Sequence, residues 1–274
     1  MSRIGFGGAT AGIPNYITRF DPDRASDREP IIEAIRWGFE HGITYFDTAA
    51  SYGNGASERI FGEALEGYDK KTYLLGTKMS DYEPSNVRRN AEMSLKNLRR
   101  DYVDILQVHS SNLTESQVET VLRREGMLDE RLKLKEEGLV RYDGFSAEAQ
   151  NPPLYRLIRS GGFDTMQILY NIMFQHPYDP AFKAGSLYAA EKSGLGILTM
   201  RATTSMVLQR WINAVNPKND FDYTPAFIQF DLSCPLVDTV IVGMRSVDEV
   251  RENIAIVDDR AGRIDIEAMH NRKI

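Results

Sequence analysis

A closed barrel of eight parallel β-strands alternating with helices is the fold class this sequence predicts, on three observations. Eight short apolar runs rich in branched and aromatic residues recur about every 34 residues along the 274-residue chain, and a strand, a crossover helix and two loops need about 30. The gaps between the runs carry apolar residues at helical rather than strand spacing. The glycine fingerprint of an open dinucleotide-binding sheet fails: Gly5-Phe6-Gly7-Gly8-Ala9-Thr10 has the first two glycines of G-x-G-x-x-G and then Thr10. An open doubly wound sheet is the alternative that alternation alone permits.

The runs, in order, are Arg3–Gly7, Ile43–Asp47, Thr72–Lys78, Val103–His109, Val140–Ser146, Thr165–Leu169, Gly196–Met200 and Thr239–Gly243. Each has the length and composition of a strand buried on both faces. Between the third and fourth runs, Val87, Ala91, Ser94, Leu95 and Leu98 form one helical face. Thr114 with Gln117 is a capping-box pattern, and Asn151 before Pro152 is an N-cap followed by a proline at the first helical position. After the eighth run, Val247, Val250, Ile254 and Val257 step by 3, 4 and 3, with Ser246 and Glu249 as a second capping box. One barrel over residues 1–274 is the expected domain organisation.

Composition bounds the function. Hydrophobic residues make up 42%, charged residues 26%, and the net charge is −6. No excess of Lys and Arg is available for nucleic-acid phosphates. The longest stretch without charge, Ile4–Thr18, is 15 residues interrupted by four glycines and a proline, too short and too broken for a membrane span or a good apolar leader helix. One cysteine, Cys234, allows no intrachain disulfide, so a reduced, cytoplasmic setting is expected. Four scattered histidines give no metal-ligand spacing, and no metal is expected.

The chemistry is read from how the runs end. Consecutive runs finish in Asp47, Lys78, His109 and Ser146, and in a parallel barrel all strand C-termini share the rim where active sites form. A charge just past one strand is commonly a solvated loop residue; three ionisable groups ending consecutive strands are a stronger signal. Tyr52 follows Asp47 by five residues. A phenol with a pKa near 10 is a weak acid, and an adjacent Lys78 ammonium favours its phenolate and lowers that pKa. Asp47 would hold Lys78 charged. The phenol then protonates a carbonyl oxygen while a nicotinamide or flavin supplies hydride, which no side chain can.

At these residues the sequence resembles the aldo-keto reductases. The resemblance is carried by Gly42-Ile43-Thr44-Tyr45-Phe46-Asp47-Thr48-Ala49 through Tyr52-Gly53 and Ser57-Glu58, by Thr77-Lys78, by Asp101-Tyr102-Val103-Asp104 leading to His109, and by Gly243-Met244-Arg245-Ser246 leading to Glu252-Asn253. It covers roughly residues 3–258 and implies a (β/α)8 barrel reducing aldehydes or ketones with NADPH or NADH, or oxidising a sugar or alcohol in reverse. It implies the tetrad Asp47, Tyr52, Lys78 and His109, with Tyr52 the general acid and His109 orienting the carbonyl. It places Gly8, Ala9 and Asp47 along the cofactor, Ser146 and Gln167 at the nicotinamide carboxamide, Met200 where an aromatic often stacks, and Arg201 beside it. Ala147 stands where the family usually has Asn.

In the last loop, the resemblance puts Gly243, Met244, Arg245 and Ser246 at a phosphate-binding helix start, with Glu252 and Asn253 at the adenine. Arg245 suits a 2′-phosphate. Glu249, where Arg or Gln is more usual, would suit a free 2′-hydroxyl unless it caps the helix. NADP(H) is therefore favoured, with NAD(H) the alternative. The hairpin that usually closes the barrel floor is missing before the first run, so the floor is expected to be partly open to solvent. Tyr16, Ile17, Phe20, Tyr82 and Trp211 are candidate pocket walls. The expected partner is a small carbonyl, alcohol or sugar substrate, with a monomer or weak oligomer. A nucleotide-sensing regulatory subunit on the same fold is the competing function, and a barrel of unrelated chemistry a third.

Overall fold

The computed structural model describes residues 1–270. The strands are β1 (Ile4–Gly7), β2 (Tyr45–Asp47), β3 (Leu74–Met79), β4 (Val103–His109), β5 (Val140–Ala147), β6 (Thr165–Leu169), β7 (Gly196–Met200) and β8 (Thr239–Gly243). They pair in sequence order, all parallel, and β8 closes on β1. The helices are α1 (Ala9–Gly12), α2 (Ala25–Glu40), α3 (Ala56–Ala64), α4 (Val87–Leu98), α5 (Glu115–Leu122), α6 (Met127–Glu136), α7 (Pro152–Arg159), α8 (Ser186–Lys192), α9 (Val207–Val215), α10 (Thr224–Ser233), α11 (Val247–Asp258) and α12 (Ile266–His270).

Four of the predicted runs match their strands residue for residue. β2 starts two residues later than predicted because other partners take the preceding N–H groups: Ile43 donates to the Gly38 carbonyl at the end of α2, and Thr44 donates to the Ser2 hydroxyl. The α4 face is as expected, with all five of its residues buried. Thr114 forms a complete capping box with Gln117, and Asn151 accepts from the Leu154 N–H. The box at α11 is only half formed. Ser246 caps the Glu249 N–H, but the Glu249 carboxylate reaches past Ser246 to the Arg245 N–H at 2.6 Å.

Two apolar bodies hold the fold. The larger lies between strands and helices and includes Phe6, Phe46 and Phe61, whose rings meet edge to face around Phe61 at 5.8 and 6.2 Å. The smaller fills the barrel interior with Tyr45, Ile105, Leu198 and Ile241. No strand precedes β1 among the described residues. The expected opening to solvent is shallow. Leu74 is partly exposed, yet its register partner Tyr45 is fully buried and acts as an internal plug.

Tyr45 fits because its neighbours are small. A Cβ on Gly5 would lie 2.7 Å from the Tyr45 ring, and one on Gly76 2.7 Å from its hydroxyl. Gly76→Ala should therefore cost about 1–3 kcal/mol by overpacking. Tyr45→Phe in the same chain should recover most of that loss, since the next ring atom is 3.5 Å away. Urea unfolding of the single and double variants checks this, and a fully stable Gly76→Ala variant would refute it.

Candidate active site

The register of the barrel delivers the site. Gly243, Gly7 and Asp47 are mutual strand partners on one side of the rim, and His109, Ser146 and Gln167 on the other. Lys78 is the penultimate residue of β3, between them. The loop carrying Tyr52 is pinned back against the rim. Gly53 adopts φ +61, and a Cβ there would sit 2.0 Å from the Gly12 carbonyl oxygen, so only glycine permits this approach. Ser57 donates to the Gly8 carbonyl at 2.9 Å and accepts from Thr48 at 2.7 Å. Glu58, buried, accepts from Thr77 at 2.7 Å and Asn97 at 2.9 Å. The Ser57-Glu58 pair of the sequence motif is thus a clamp on the Tyr52 loop.

The four ionisable residues come together. Lys78, fully buried, donates to Asp47 Oδ2 at 2.6 Å and to the Thr48 carbonyl at 2.8 Å. Its ammonium lies 5.1 Å from the centroid of the Tyr52 ring. That ring meets His109 edge to face at 5.5 Å. Burial alone would lower the Lys78 pKa, but Asp47 and then Tyr52 hold it above the ordinary lysine range. Tyr52 is shifted upward: burial outweighs the downward pull of Lys78. The sequence expectation therefore has the right sign for the Lys78 contribution and the wrong sign for the sum. His109 is pushed down to about 3 by burial and by the Lys78 charge, so it is neutral at physiological pH.

His109 is oriented from behind. Its Nδ1 lies 3.2 Å from the Ser51 hydroxyl and 3.4 Å from that of Ser80, and Tyr82 donates to its carbonyl at 2.7 Å. Tyr82 thus supports the histidine and does not wall the pocket. Deeper in the barrel, Gln107 donates to Gln167 Oε1 at 3.0 Å, and Gln167 donates toward Asp47 at 3.4 Å and Met200 Sδ at 3.5 Å. Gln107 escaped the sequence reading because it points inward one turn of the pleat before His109 and carries no charge.

One cavity of about 260 Å³ joins these groups. Asp47, Tyr52 and His109 line it, as do Gly8 and Ala9 at one side and Ser146, Gln167 and Met200 at the other. Arg201 and Gly243 border it too, and Tyr16 and Ile17 wall it as expected. Phe20 instead packs under the Arg245 guanidinium at 4.4 Å, and Trp211 is exposed on α9, so these two are not walls.

Met244, Arg245, Ser246, Glu249, Glu252 and Asn253 lie outside the cavity, in the link from β8 to α11 and along the first half of α11. Met244 is fully buried and Asn253 nearly so, while Glu249 and Glu252 are exposed. Arg245 has a task the sequence did not reveal. It donates to the carbonyls of Thr10 and Tyr16, both at 2.9 Å, and to the Thr18 hydroxyl. It thereby straps the loop between α1 and α2 across the rim. Three of its five N–H donors serve this strap, leaving two for an anion.

The hydroxyl of Ser146 and the amide of Gln167 are strand neighbours facing the cavity, a donor and acceptor set that fits the carboxamide of a nicotinamide. A closed (β/α)8 barrel with a Tyr–Lys–Asp–His cluster at its C-terminal rim defines a class of carbonyl-processing enzymes. The sequence profile of the Aldo/keto reductase family matches residues 3–227, and the chain belongs to that family. It is accordingly an NAD(P)-dependent oxidoreductase.

Among its relatives, L-galactose dehydrogenase of Arabidopsis thaliana is 26% identical across 287 aligned positions, spanning 94% of this chain and 84% of that protein. Methylglyoxal reductase YeaE of Escherichia coli (strain K12) is 34% identical over 152 positions, 54% of this chain and 50% of that protein. Among solved structures, an aldo/keto reductase from Klebsiella pneumoniae in complex with NADP and acetate superposes with a TM-score of 0.72 at 20% identity, covering 98% of this chain and 89% of that one. No helix among the described residues is long and apolar enough to cross a membrane.

Proposed function

We propose that this protein reduces an aldehyde or ketone to the alcohol with NADPH, or runs the reverse oxidation, with Tyr52 as general acid and base. The observation that carries the reading is the buried Lys78–Asp47 pair at 2.6 Å beneath the Tyr52 ring. A protein that only senses nucleotide has no use for a lysine buried at the cost of its hydration.

A bound reduced nicotinamide supplies the hydride to the carbonyl carbon. Everything else falls to the chain. Tyr52 is protonated at neutral pH, since burial holds its pKa up, so it is in the form that donates. As its proton passes to the carbonyl oxygen, the Lys78 ammonium stabilises the phenolate left behind. Asp47 keeps that ammonium charged and in place. The Ser51 hydroxyl lies 3.2 Å from Nδ1; in the tautomer for which that hydroxyl donates, neutral His109 carries its proton on Nε2, free to donate to the carbonyl. Ser146 and Gln167 would hold the carboxamide of a bound nicotinamide, and Met200, which lines the same cavity, would offer its ring an apolar neighbour.

The preference for NADP(H) rests on Arg245. Glu249 is engaged by the Arg245 N–H and so is drawn away from a ribose hydroxyl, whereas Arg245 keeps two donors for a 2′-phosphate. The NADP carried by the Klebsiella pneumoniae structure agrees with this. Arg245→Ala should weaken NADPH roughly 10- to 150-fold, the range of a charged hydrogen bond. NADH should weaken less, and only through the loosened strap. Equilibrium titration with both nucleotides checks this. Equal losses would reduce Arg245 to the strap alone, and tighter wild-type binding of NADH would reverse the assignment.

A further inference from the structure

Beneath the Asp47–Lys78 pair, two buried amides form a row that runs from the barrel interior to the cavity. Gln107 is the strand partner of Lys78, so the two side chains share the inner face of the sheet. On its other side the partner is Gly144, where a Cβ would lie 3.1 Å from Gln107 Cγ, so the glycine makes room for the amide. Gln107 Nε2 donates to Gln167 Oε1 at 3.0 Å and lies 3.5 Å from both Asp47 Oδ1 and the Tyr45 hydroxyl. Gln167 Nε2 in turn donates toward Asp47 Oδ2 at 3.4 Å.

The direction of this row is set by charge. An ionised carboxylate only accepts, and Asp47 is paired with the Lys78 ammonium at 2.6 Å. Gln167 must therefore turn its nitrogen to Asp47 and its oxygen inward, where only a donor can meet it. Gln107 supplies that donor. Its own Oε1 is buried without a protein partner among the described residues. An amide with an unmatched acceptor is costlier to bury than an apolar side chain of the same volume, so packing by itself does not favour glutamine at this position.

We infer that Gln107 is a positioning residue for the nicotinamide: it holds the Gln167 amide in one orientation and ties that orientation to the charged Asp47 that serves Tyr52. This rests on the reading above in which Gln167 meets the carboxamide. Gln167 lines the cavity and Gln107 does not, so Gln107 acts through its neighbour and not on the nucleotide. Without it, Gln167 Oε1 faces no donor and the amide is free to turn over. The loss then falls on the nicotinamide end of the nucleotide and spares the adenine end.

The test is equilibrium titration of the full chain with NADP⁺ and with 2′-phospho-ADP-ribose, which lacks the nicotinamide. Gln107→Met keeps the volume and removes the donor. It should weaken NADP⁺ about fivefold, the scale of one neutral hydrogen bond, and leave 2′-phospho-ADP-ribose unchanged. On a Gln167→Ala background the same substitution should add nothing, because the residue it acts through is gone. Gln107→Glu separates donation from packing. The titratable groups around that position are Asp47 and Tyr45, each 3.5 Å away, and Lys78 on the adjoining strand. Burial and the Asp47 charge keep the introduced carboxyl protonated in acid, and a protonated carboxyl still donates to Gln167. At about pH 5 this variant should bind NADP⁺ as wild type does, although Gln107→Met does not, and its affinity should fall relative to wild type as the carboxyl ionises. Should Gln107→Met fail to fold, Gln107→Leu serves in its place. The inference is overturned by equal losses for both nucleotides, by no loss for either, by an undiminished effect on the Gln167→Ala background, or by a Gln107→Glu variant already as weak as Gln107→Met at pH 5. If Gln167→Ala itself binds NADP⁺ as tightly as wild type, the carboxamide reading fails first and the inference falls with it.

Discussion

Tyr52→Phe should lower kcat for carbonyl reduction at least about 100-fold, the typical scale for losing a positioned general acid. The ring stays, with its edge-to-face packing on His109, so nucleotide affinity and thermal stability should change little. The pH dependence gives a second check. Reduction requires the protonated phenol, whose pKa lies above 10 because burial raises it. Wild-type activity should therefore hold through neutrality and fall only as pH rises through that elevated value. No inflection is expected near 6.5, since His109 titrates at about 3. Wild-type turnover by the phenylalanine variant would exclude Tyr52 as the acid, and a clear inflection between pH 6 and 7 would contradict a neutral His109.

Lys78→Met should be costly in two ways at once. Activity should fall to near background, because the phenolate formed on proton transfer loses its counter-charge. Stability should fall by about 3–5 kcal/mol, the usual cost of removing one partner from a buried ion pair. What remains around Asp47 is weak: Gln167 at 3.4 Å, Tyr45 at 3.4 Å and Gln107 at 3.5 Å. Adding Asp47→Asn to Lys78→Met removes the stranded charge and should restore part of the stability but none of the activity. The two effects are then separable by comparing melting curves with single-turnover reduction. A Lys78→Met protein that is both stable and active would show that the pair does neither job. The sign of the alkaline effect also follows. The Lys78 pKa is raised on folding, so its ion-pair contribution is intact below the ordinary lysine range and is lost as pH climbs through the raised value.

Much of this site was legible in sequence for one reason. A parallel barrel places every strand's C-terminus on one rim, so Asp47, Lys78 and His109, which end consecutive apolar runs, had to converge. The turn residues after β2 had to bring Tyr52 near them. The same logic located Ser146, while Gln167, in the middle of β6, came only from the family resemblance. It did not reach Gln107, whose inward direction shows only in the register, or Glu148 and Ser205, which stand in loops with no period to read. At the floor, the sequence showed the missing hairpin but not the plug that Tyr45 forms between Gly5 and Gly76.

Alternation of strand and helix, the closed fold, the helix caps and the convergence of Asp47, Lys78 and His109 on one rim follow from local pattern, and sequence by itself determined them. Tertiary structure decided three things. It decided that burial outweighs Lys78 in setting the Tyr52 pKa, because desolvation depends on everything packed around the ring. It gave Arg245 to Thr10, Tyr16 and Thr18, more than 220 positions away along the chain. It joined Ser111, Glu148, Arg201, Ser205 and Tyr16 into one wall of the cavity. Such pairings depend on which loops meet across the rim and how their side chains turn, and neither is encoded in any spacing along the chain.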